Sequence, residues 1–422
     1  MNLRFFFRTA IRYWLDYGLL ALLKRISYRL QNSPCGLIFG KVDFLGIYDF
    51  ARLPYVSPAL AVGQASANTI NWVIPPFGKG GGGHLNIFRF VSYLEKMGFE
   101  CRIIIVGSWR PVSAAKQSER AEKEITKWFF PLAARVYMGM ENAPPAYYTI
   151  ASTWRTAYAV RNFGATRHRC YFIQDFEPWF YAAGAEYALA EDTYRFGFVG
   201  ITAGTWLKSK LAADYGMETY SVGFSYDRNI YRQMPRREPD DRRVFFYARP
   251  STPHRGFELG LLVLAEVVRR LPDIKVVFAG LDLSNYYIPF EHQNAGLVSL
   301  SELPSLYSQC DVALVLSCTN LSLLPLEIMA CGTPVVSNKG PWTEWLLNDH
   351  NACLANPTID ALANAVCSVL CDPVEANRLR EGGFAAVAVT DWQVEACAMA
   401  GILRGLAQAT NAAENNVQEI RH

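Results

Sequence analysis

The sequence predicts an α/β fold with two doubly wound parallel sheets, preceded by a helical extension. Three observations support this prediction. From about residue 69 onward, short apolar runs typical of buried strands alternate with amphipathic runs typical of helices. A polar, charged stretch with two prolines, YRQMPRREPDDRR, divides this alternation into two series of similar size. With 422 residues, the chain is also too long for one ordinary core.

We therefore expect four regions along the chain. An amphipathic helix and extension cover residues 1–68, a first Rossmann-like domain 69–238, a second 239–390, and a helix with a polar tail 391–422. Two sheets of this kind should face each other across a cleft. Ligands in such folds bind outside the carboxyl ends of the strands, so we expect the functional residues there.

In the first series, apolar runs predict the strands and helices, and residues that interrupt regular structure predict where they end. The glycine at position 98, for example, ends the first helix after an apolar stripe of helical period. The predicted strands are TINWVIPPF, ECRIIIVG, AYYTIAST, RCYFIQDF, FVGITAG and METYSVGF. The predicted helices are HLNIFRFVSYLEKMG, AAKQSERAEKEITKWFF, WRTAYAVRNFG, EYALAEDTYRF and TWLKSKLAADYG.

The second series repeats the pattern after the polar stretch. Its predicted strands are VFFYARP, KVVFAG, LVSL, VALVLS and TPVVSN, rich in β-branched and aromatic residues. Its predicted helices are GFELGLLVLAEVVRRL, SELPSLYSQC, LLPLEIMACG, TEWLLNDH and TIDALANAVCSVLCD. A late helix, DWQVEACAMAGILRGLAQA, ends the fold, and we expect the polar tail after it to be frayed.

Composition excludes several classes of protein. The net charge is only +3 and no block of Lys and Arg occurs, which argues against nucleic acid as a partner. The ten cysteines form no CxxC pair, so we expect free thiols in a reducing cytoplasm and not disulfides. The six histidines have no ligand-like spacing. We therefore expect no metal and no cofactor.

The first thirty residues carry a basic amphipathic pattern. Arg4, Arg8 and Arg12 fall on one helical face, with apolar side chains on another. The longest uncharged run, Tyr17 to Leu23, is far too short to span a bilayer. Two interpretations stand side by side: the helix lies in a membrane interface, at the inner face of the cytoplasmic membrane, or it packs on the protein itself.

A glycine-rich loop, PPFGKGGGGHLNIF, separates the first predicted strand from its helix. Gly81, Gly82, Gly83 and His84 lie at the helix N-terminus, where backbone N–H groups and the helix dipole favour an anion. The spacing fits neither a Walker loop nor a dinucleotide fingerprint, so a Rossmann dehydrogenase is the weakest rival. The loop fits an approaching phosphate or acceptor, or close backbone packing.

The second series holds more specific residues. Arg249 follows a strand and Arg255 precedes a helix, so both belong at the carboxyl edge of the sheet, where they could grip a diphosphate. Glu327 is a lone acid in an apolar helix, a setting that needs hydrogen-bond donors such as sugar hydroxyls. The loop from Thr319 to Leu323 offers backbone amides to phosphate oxygens.

These residues carry a resemblance. LPSLYSQCDVALVLS and LPLEIMACGTPVVSN resemble the nucleotide-sugar half of family 4 glycosyltransferases, which have the GT-B fold. More narrowly, YFIQDFEPWFYAAG, GITAGTWLKSKL and FYARPSTPHRGFELG resemble the bacterial rhamnosyltransferases of the WsaF type, which use dTDP-rhamnose to build surface glycans. This closer resemblance covers most of residues 70–345. The family's first acid of a glutamate pair is replaced here by Thr319, which is compatible with a deoxysugar donor.

The resemblance implies a metal-independent transfer with retention of configuration. It places Glu327 on the deoxyribose 3′-hydroxyl and the backbone near Val298 and Leu300 on the base. The donor's diphosphate would be held by residues of the second domain: Arg249, Arg255, Asn320, Ser322 and Leu323. Their positive charge and N–H groups would stabilise the departing diphosphate, the largest contribution in sites of this kind.

Acidic and aromatic residues in IQDFEPWFY predict a sugar-binding surface beside the acceptor. We assign Gln174, Asp175 and Glu177 to this surface, because sugar faces stack on rings while hydroxyls donate to acids. The predicted catalytic residues are Asp175, Glu177 and Arg249, with Asp175 orienting the acceptor or stabilising positive charge on the sugar. The alternative is a helix start with an acidic first turn, to which Glu177 and Pro178 are suited.

The sequence thus predicts a glycosyltransferase that moves rhamnose from dTDP-rhamnose to a surface polysaccharide or lipid-linked glycan. Two alternatives remain open. One is a GT-B transferase with a UDP- or GDP-hexose donor, and the other is a non-catalytic GT-B subunit of a glycan assembly complex, because fold alone does not establish activity.

Overall fold

Two sheets with the same internal strand order organise the chain. The computed structural model describes residues 44–61, 63–107, 114–236 and 241–420. Contacts divide the chain into two units. The first comprises Leu189–Gly200, Ala400–His422 and the described part of Met1–Phe172, and the second comprises Ile173–Ala188 with Ile201–Met399. The boundaries that we predicted at residues 68, 238 and 390 stay predictions, as does the N-terminal helix over residues 1–30, which lies outside the described residues.

The first sheet has seven strands, numbered β1 to β7 in chain order: Thr69–Ile74, Glu100–Ile105, Arg135–Met138, Ala146–Ala151, Thr166–Ile173, Val199–Ala203 and Thr219–Val222. They lie side by side in the order β3-β2-β1-β4-β5-β6-β7. Strand β1 is buried at every position and pairs in parallel with β2 and β4, placing Trp72 opposite Ile103 and Ile150. Strands buried on both faces are typical of a parallel sheet covered by helices. The helices of this half of the sequence are Phe44–Ile47, Gly82–Lys96, Ala114–Trp128, Trp154–Arg161, Ala185–Asp192 and Thr205–Tyr215.

The second sheet has six parallel strands, numbered β8 to β13 in chain order: Arg243–Tyr247, Lys275–Ala279, His292–Asn294, Val312–Val315, Val335–Asn338 and Ala352–Ala355. They lie in the order β10-β9-β8-β11-β12-β13. The order reverses between β8 and β11, which are neighbours, and such a switch point opens a crevice at the carboxyl ends of the two strands. The helices are Phe257–Arg270, Leu303–Ser308, Leu324–Ala330, Pro341–Glu344, Ile359–Cys371, Pro373–Ala388 and Trp392–Ile420.

The α/β class and most elements agree with the sequence predictions, but four details differ. LVSL is not a strand: the edge strand is His292–Asn294, a short polar segment without an apolar run to reveal it. The strands Arg135–Met138 and Ala352–Ala355 and the helix Pro373–Ala388 were not predicted, because their patterns are brief or interrupted by glycine. The helix predicted over TEWLLNDH is the single turn Pro341–Glu344. The last helix continues to Ile420 where we expected a frayed tail.

Within the described ranges, no one helix has the length and apolar character to cross a bilayer. The helix Pro373–Ala388 and the segment Trp392–Thr410, bent by 45° at their junction, meet the length and composition requirement only as a pair.

Gly260 tests how tightly the second unit is packed. A Cβ atom at this position, in the helix Phe257–Arg270, would lie 2.1 Å from Cζ of Phe246 in β8. We expect Gly260→Ala to lower the free energy of unfolding by about 1–3 kcal/mol through overpacking. Thermal and urea denaturation measure the change.

The matched control is Gly401→Ala in the last helix, where a Cβ would meet nothing within 4 Å. Alanine has the higher helix propensity, so this variant should gain up to about 1 kcal/mol. Equal effects at the two positions would contradict the packing described for Gly260.

Candidate active site

The candidate site lies where β8 and β11 end, at the switch point of the second sheet. After β8 the chain forms a single 3₁₀ turn, Pro253–Arg255, which Gly256 closes with φ of +61° before the next helix starts. This backbone conformation favours glycine, and a Cβ there would also lie 3.3 Å from that of Leu316. The turn fixes the start of the Arg255 side chain beside the loop that follows β11.

Arg255 is held by the loop after β11. Its Nη1 donates to Oγ of Ser317 at 2.9 Å and to the backbone oxygen of Asn320 at 3.2 Å. Its Nη2 lies 3.5 Å from Oδ2 of Asp175, and the two side chains are 19% and 11% exposed. Three acceptors thus orient one guanidinium at the carboxyl end of β11.

Asp175 is buried, and one of its carboxylate oxygens accepts two backbone hydrogen bonds. Its Oδ1 accepts hydrogen bonds from the backbone N–H of Asn320 at 2.8 Å and of Phe176 at 2.9 Å. Burial raises the pKa of Asp175, while the charge of Arg255 and the backbone hydrogen bonds oppose this rise. We call Asp175, Arg255, Ser317 and Asn320 the carboxylate–arginine cluster.

Asn320 joins the cluster to two other segments of the second unit. Its Nδ2 donates to the backbone oxygens of Gln174 at 3.0 Å and of Ala203 at 2.8 Å. The side chain is 1% exposed, so its polar atoms serve the protein's own backbone. The structure therefore gives Asn320, predicted as a donor-binding residue, a role in holding this loop in place.

The loop is also fixed from the side of β12. Ser317 donates its N–H to Oδ1 of Asn338 at 2.9 Å, and Asn338 returns a hydrogen bond to the Ser317 oxygen at 2.8 Å. Nε1 of Trp342 donates to the same oxygen at 2.7 Å. A loop held at each of these points is pre-organised, as a ligand-binding segment at a switch point should be.

The other predicted residues of the second domain lie near strand ends in separate contacts. Nε of Arg249 donates to the Tyr247 hydroxyl at 2.7 Å, with its guanidinium 5.1 Å from that ring. Glu327 is half-buried in the helix Leu324–Ala330. Burial, and to a smaller extent the charge of Glu327, raises the pKa of Cys331 to about 12. The remaining predicted positions are half-buried Val298 and Ser322, exposed Leu300 and buried Leu323.

The glycine-rich loop belongs to the first unit and lies at the carboxyl end of β1. Gly81 caps the helix Gly82–Lys96, and Gly80 has φ of +79°. A Cβ on Gly80 or Gly82 would meet nothing within 4 Å, so packing does not require glycine at these two positions. Gly83 forms the first turn of this helix with Gly82. At Gly81, by contrast, a Cβ would lie 3.3 Å from Nδ1 of His84, so an approaching ligand at this loop stays a prediction.

His84 closes this loop from the protein side. Its Nε2 lies 3.2 Å from the Pro75 oxygen, and its ring packs 6.0 Å from Phe77. Burial lowers its pKa, so the imidazole favours the neutral form. The geometry gives His84 a part in supporting the loop.

Half-buried aromatic rings flank the cluster in the second unit. Glu177 begins the 3₁₀ turn Glu177–Phe180, and Trp179 packs 5.8 Å from Trp206 and 5.6 Å from Trp342. Trp179 lies in IQDFEPWFY, the segment predicted to bind sugar, whereas Trp206 and Trp342 were not predicted to belong to the site. The sequence around each tryptophan does not indicate that the three indole rings are in contact.

His254 and Ser317 were also missed. His254 stacks on Phe180 with ring centroids 4.3 Å apart, and burial together with Arg255 lowers its pKa to about 3. Their positions in the sequence could have indicated both residues, because Ser317 ends a predicted strand and His254 directly precedes Arg255. In the part of the chain that the structure describes, no group of three or more His, Cys, Asp or Glu could hold a metal ion.

The neutral His254 predicts an acid-sensitive contribution to stability. Its folded pKa of about 3 lies below the ordinary value of 6.5, so the unfolded chain binds more protons between these pH values. The contribution is complete above pH 6.5 and is lost as pH falls. We expect His254→Phe, which keeps a ring on Phe180, to lose less stability than wild type between pH 7 and pH 5, by about 1 kcal/mol after solvent screening. Equal losses in urea unfolding would contradict this account.

Comparison with known proteins now identifies the architecture. Two domain families match: "WsaF, N-terminal domain" over residues 79–202 and "WsaF, C-terminal domain" over residues 242–367. The O-antigen biosynthesis protein RfbC of Myxococcus xanthus is 32% identical over 371 residues, which is 85% of this chain. The chain spans only 29% of the length of RfbC.

Solved structures share the fold at low identity. Sucrose-phosphate synthase from Thermosynechococcus elongatus is 14% identical with a TM-score of 0.62, covering 81% of this chain and 99% of that one. Anabaena Alr3699/HepE, solved with UDP and glucose, is 16% identical with a TM-score of 0.62, covering 80% and 99%. The predicted GT-B fold class is confirmed. The chain belongs to the WsaF family.

Proposed function

We propose that this chain is a glycosyltransferase, and that it moves rhamnose from dTDP-rhamnose to a growing surface polysaccharide or lipid-linked glycan, with retention of configuration. The observation that carries the proposal is the oriented guanidinium of Arg255 beside the loop 317–323, at the switch point of the second sheet. This is where a nucleotide's phosphates bind in doubly wound folds. The name of RfbC, an O-antigen biosynthesis protein, supports a surface glycan as the product.

The diphosphate is the part of the donor for which the site has the clearest chemistry. Arg249 and Arg255 follow the carboxyl end of β8, and each guanidinium keeps donors that the contacts described above do not use. As the sugar–oxygen bond breaks, negative charge grows on the departing phosphate. Pre-oriented cations beside it stabilise the transition state more than the ground state.

The nucleoside and the sugar are assigned from the positions of single residues. Glu327 accepts the deoxyribose 3′-hydroxyl, and the backbone near Val298 and Leu300 contacts the base. Thr319 is fully buried where related enzymes carry an acid. A donor sugar that lacks one hydroxyl, as rhamnose does, leaves fewer hydroxyls for such an acid to bind.

The acceptor requires a surface that binds sugar rings and orients a hydroxyl. In the second unit, Trp179, Phe180 and Tyr181 are half-buried and offer ring faces beside Glu177. In the first unit, the open backbone of Gly80 and Gly82 leaves room for a ligand. The acceptor hydroxyl would attack from the face that the diphosphate leaves, with a phosphate oxygen taking its proton. The basic amphipathic pattern of residues 1–30 supports contact with a membrane that carries lipid-linked acceptors.

A UDP-hexose donor is the second candidate. HepE, which has the same fold, was solved with UDP and glucose. The two candidates differ in the base, in the 2′-hydroxyl of the nucleoside and in the sugar, so donor binding separates them.

The test is donor binding followed by turnover. The full chain is titrated with dTDP-rhamnose, UDP-glucose and GDP-mannose by calorimetry, and is then incubated with each donor and a rhamnosylated acceptor. We expect binding and transfer with dTDP-rhamnose only, with the anomeric configuration retained by NMR. Transfer from UDP-glucose alone would replace the donor assignment. Absence of turnover with every donor would favour a non-catalytic subunit.

Glu327→Gln tests the nucleoside assignment. The amide keeps the shape but loses the charged acceptor, so one charge-assisted hydrogen bond to the deoxyribose 3′-hydroxyl weakens. We expect the Kd for dTDP to rise about tenfold, the equivalent of roughly 1.4 kcal/mol.

The matched control is Glu381→Gln on the helix Pro373–Ala388, where the acid is exposed and bonded to Asn377. Its Kd for dTDP should equal that of wild type in calorimetry. An unchanged Kd in Glu327→Gln would remove Glu327 from the donor site.

A further inference from the structure

We propose that Asp175 acts as a positioning residue for Arg255 and for the loop 317–320, and that it does not touch the reacting sugar. This inference deepens the proposed function and rests on it, because the group that Arg255 serves is the diphosphate of a nucleoside-diphosphate sugar. It also changes the role that the sequence predicted for Asp175, which was contact with the acceptor or with the sugar ring.

Burial limits what the Asp175 carboxylate can reach. The residue is only 8% exposed, and its Oδ1 already accepts two backbone hydrogen bonds, from Asn320 and Phe176. A catalytic nucleophile or base must reach the reacting atom directly or through one water. An oxygen that is saturated by backbone N–H groups inside the protein is poorly placed to do so.

The other carboxylate oxygen of Asp175 is directed at Arg255. Oδ2 of Asp175 faces Nη2 of Arg255 at 3.5 Å, while Nη1 of the same guanidinium is fixed by Ser317 and Asn320. Acceptors on two of its nitrogens determine the plane of the group. In the part of the chain that the structure describes, no hydrogen bond reaches Nε of Arg255. Nε therefore keeps a donor for an anion, and a guanidinium with a fixed plane suits phosphate oxygens.

Asp175 and Asn320 together join three stretches of backbone. Asp175 binds the N–H of Asn320 and of its own neighbour Phe176, and Asn320 in turn binds the oxygens of Gln174 and Ala203. All of these residues belong to the second unit. Asp175 therefore fixes the loop 317–320 and the guanidinium together, so that both are in place before a diphosphate arrives.

Substitution of this pair has a distinctive outcome. Arg255→Met leaves the buried carboxylate without its cation, which is strongly destabilising, whereas Arg255→Met with Asp175→Asn removes both charges. We expect the single Arg255 variant to melt about 5 °C below wild type and the double variant to regain at least half of that loss. A double variant less stable than Arg255→Met would overturn the proposal.

Arg242 and Asp273 provide a matched control. They form an ion pair in the same unit with side chains 34% and 62% exposed. Exposed pairs contribute little, so Arg242→Met and the double variant with Asp273→Asn should both melt within about 1 °C of wild type. A rescue of similar size at this exposed pair would show that the Asp175 result reflects general charge balance, and would overturn the proposal.

Nucleotide binding separates positioning from catalysis. In Asp175→Asn the side-chain amide keeps an acceptor for the backbone N–H groups and turns its NH₂ toward Arg255. Two donors then face each other and displace the guanidinium. We expect the Kd for dTDP, measured by calorimetry, to rise about tenfold. The KM for the donor should rise with it, while the KM for the acceptor and the acid limb of the kcat–pH profile stay as in wild type.

The outcomes distinguish this inference from the function on which it rests. If the wild-type protein binds neither dTDP nor UDP, the proposed function fails and the inference fails with it. If wild type binds and Asp175→Asn binds equally well, the inference alone is overturned. A kcat at least a thousandfold lower in Asp175→Asn, with the donor KM unchanged, would instead assign Asp175 to proton transfer or to nucleophilic attack.

Discussion

The site depends on the burial of one carboxylate. An ionised acid inside a protein is costly unless donors surround it, and here the donors are two backbone N–H groups and one guanidinium. These donors come from separate parts of the second unit. The hydrogen bonds and the ion pair of Asp175 therefore also fix the loop after β11 relative to the turn that carries Arg255. The same electrostatic requirement therefore stabilises the fold locally and prepares the group that faces a diphosphate.

The sheets explain why such a loop is available. In both sheets the strand order reverses beside the first strand. The connections that follow β1 and β4 therefore run in opposite directions, as do those that follow β8 and β11, and a crevice opens between the loops of each pair. In the second unit this position holds charged and hydrogen-bonding side chains, and in the first it holds glycines with open space around them. Both kinds of surface suit the proposed function, because a charged donor requires fixed cations while a glycan acceptor requires room.

Some features of the structure could be predicted from the sequence and others could not. Apolar runs predicted the central strands well, because a buried parallel strand such as β1 must be apolar at nearly every position. The edge strand His292–Asn294 could not be predicted in this way, because an edge is partly solvated and its residues are polar. Among the site residues, Arg255 and Asp175 were recognised singly by their charge. Their meeting was not predicted, since 80 positions separate them in the chain.

The sequence by itself determined the α/β class, the two series of elements and the WsaF resemblance, because hydrophobic period and local motifs are written in consecutive residues. It also marked Asp175, Arg249, Arg255 and Glu327 as chemically unusual in their surroundings. Only the tertiary structure decided that Asp175 is sealed against Arg255 and Asn320, and that Trp179, Trp206 and Trp342 meet. Contacts of this kind arise when distant strand ends are brought to one edge of a sheet, and local sequence carries no record of which ends will meet.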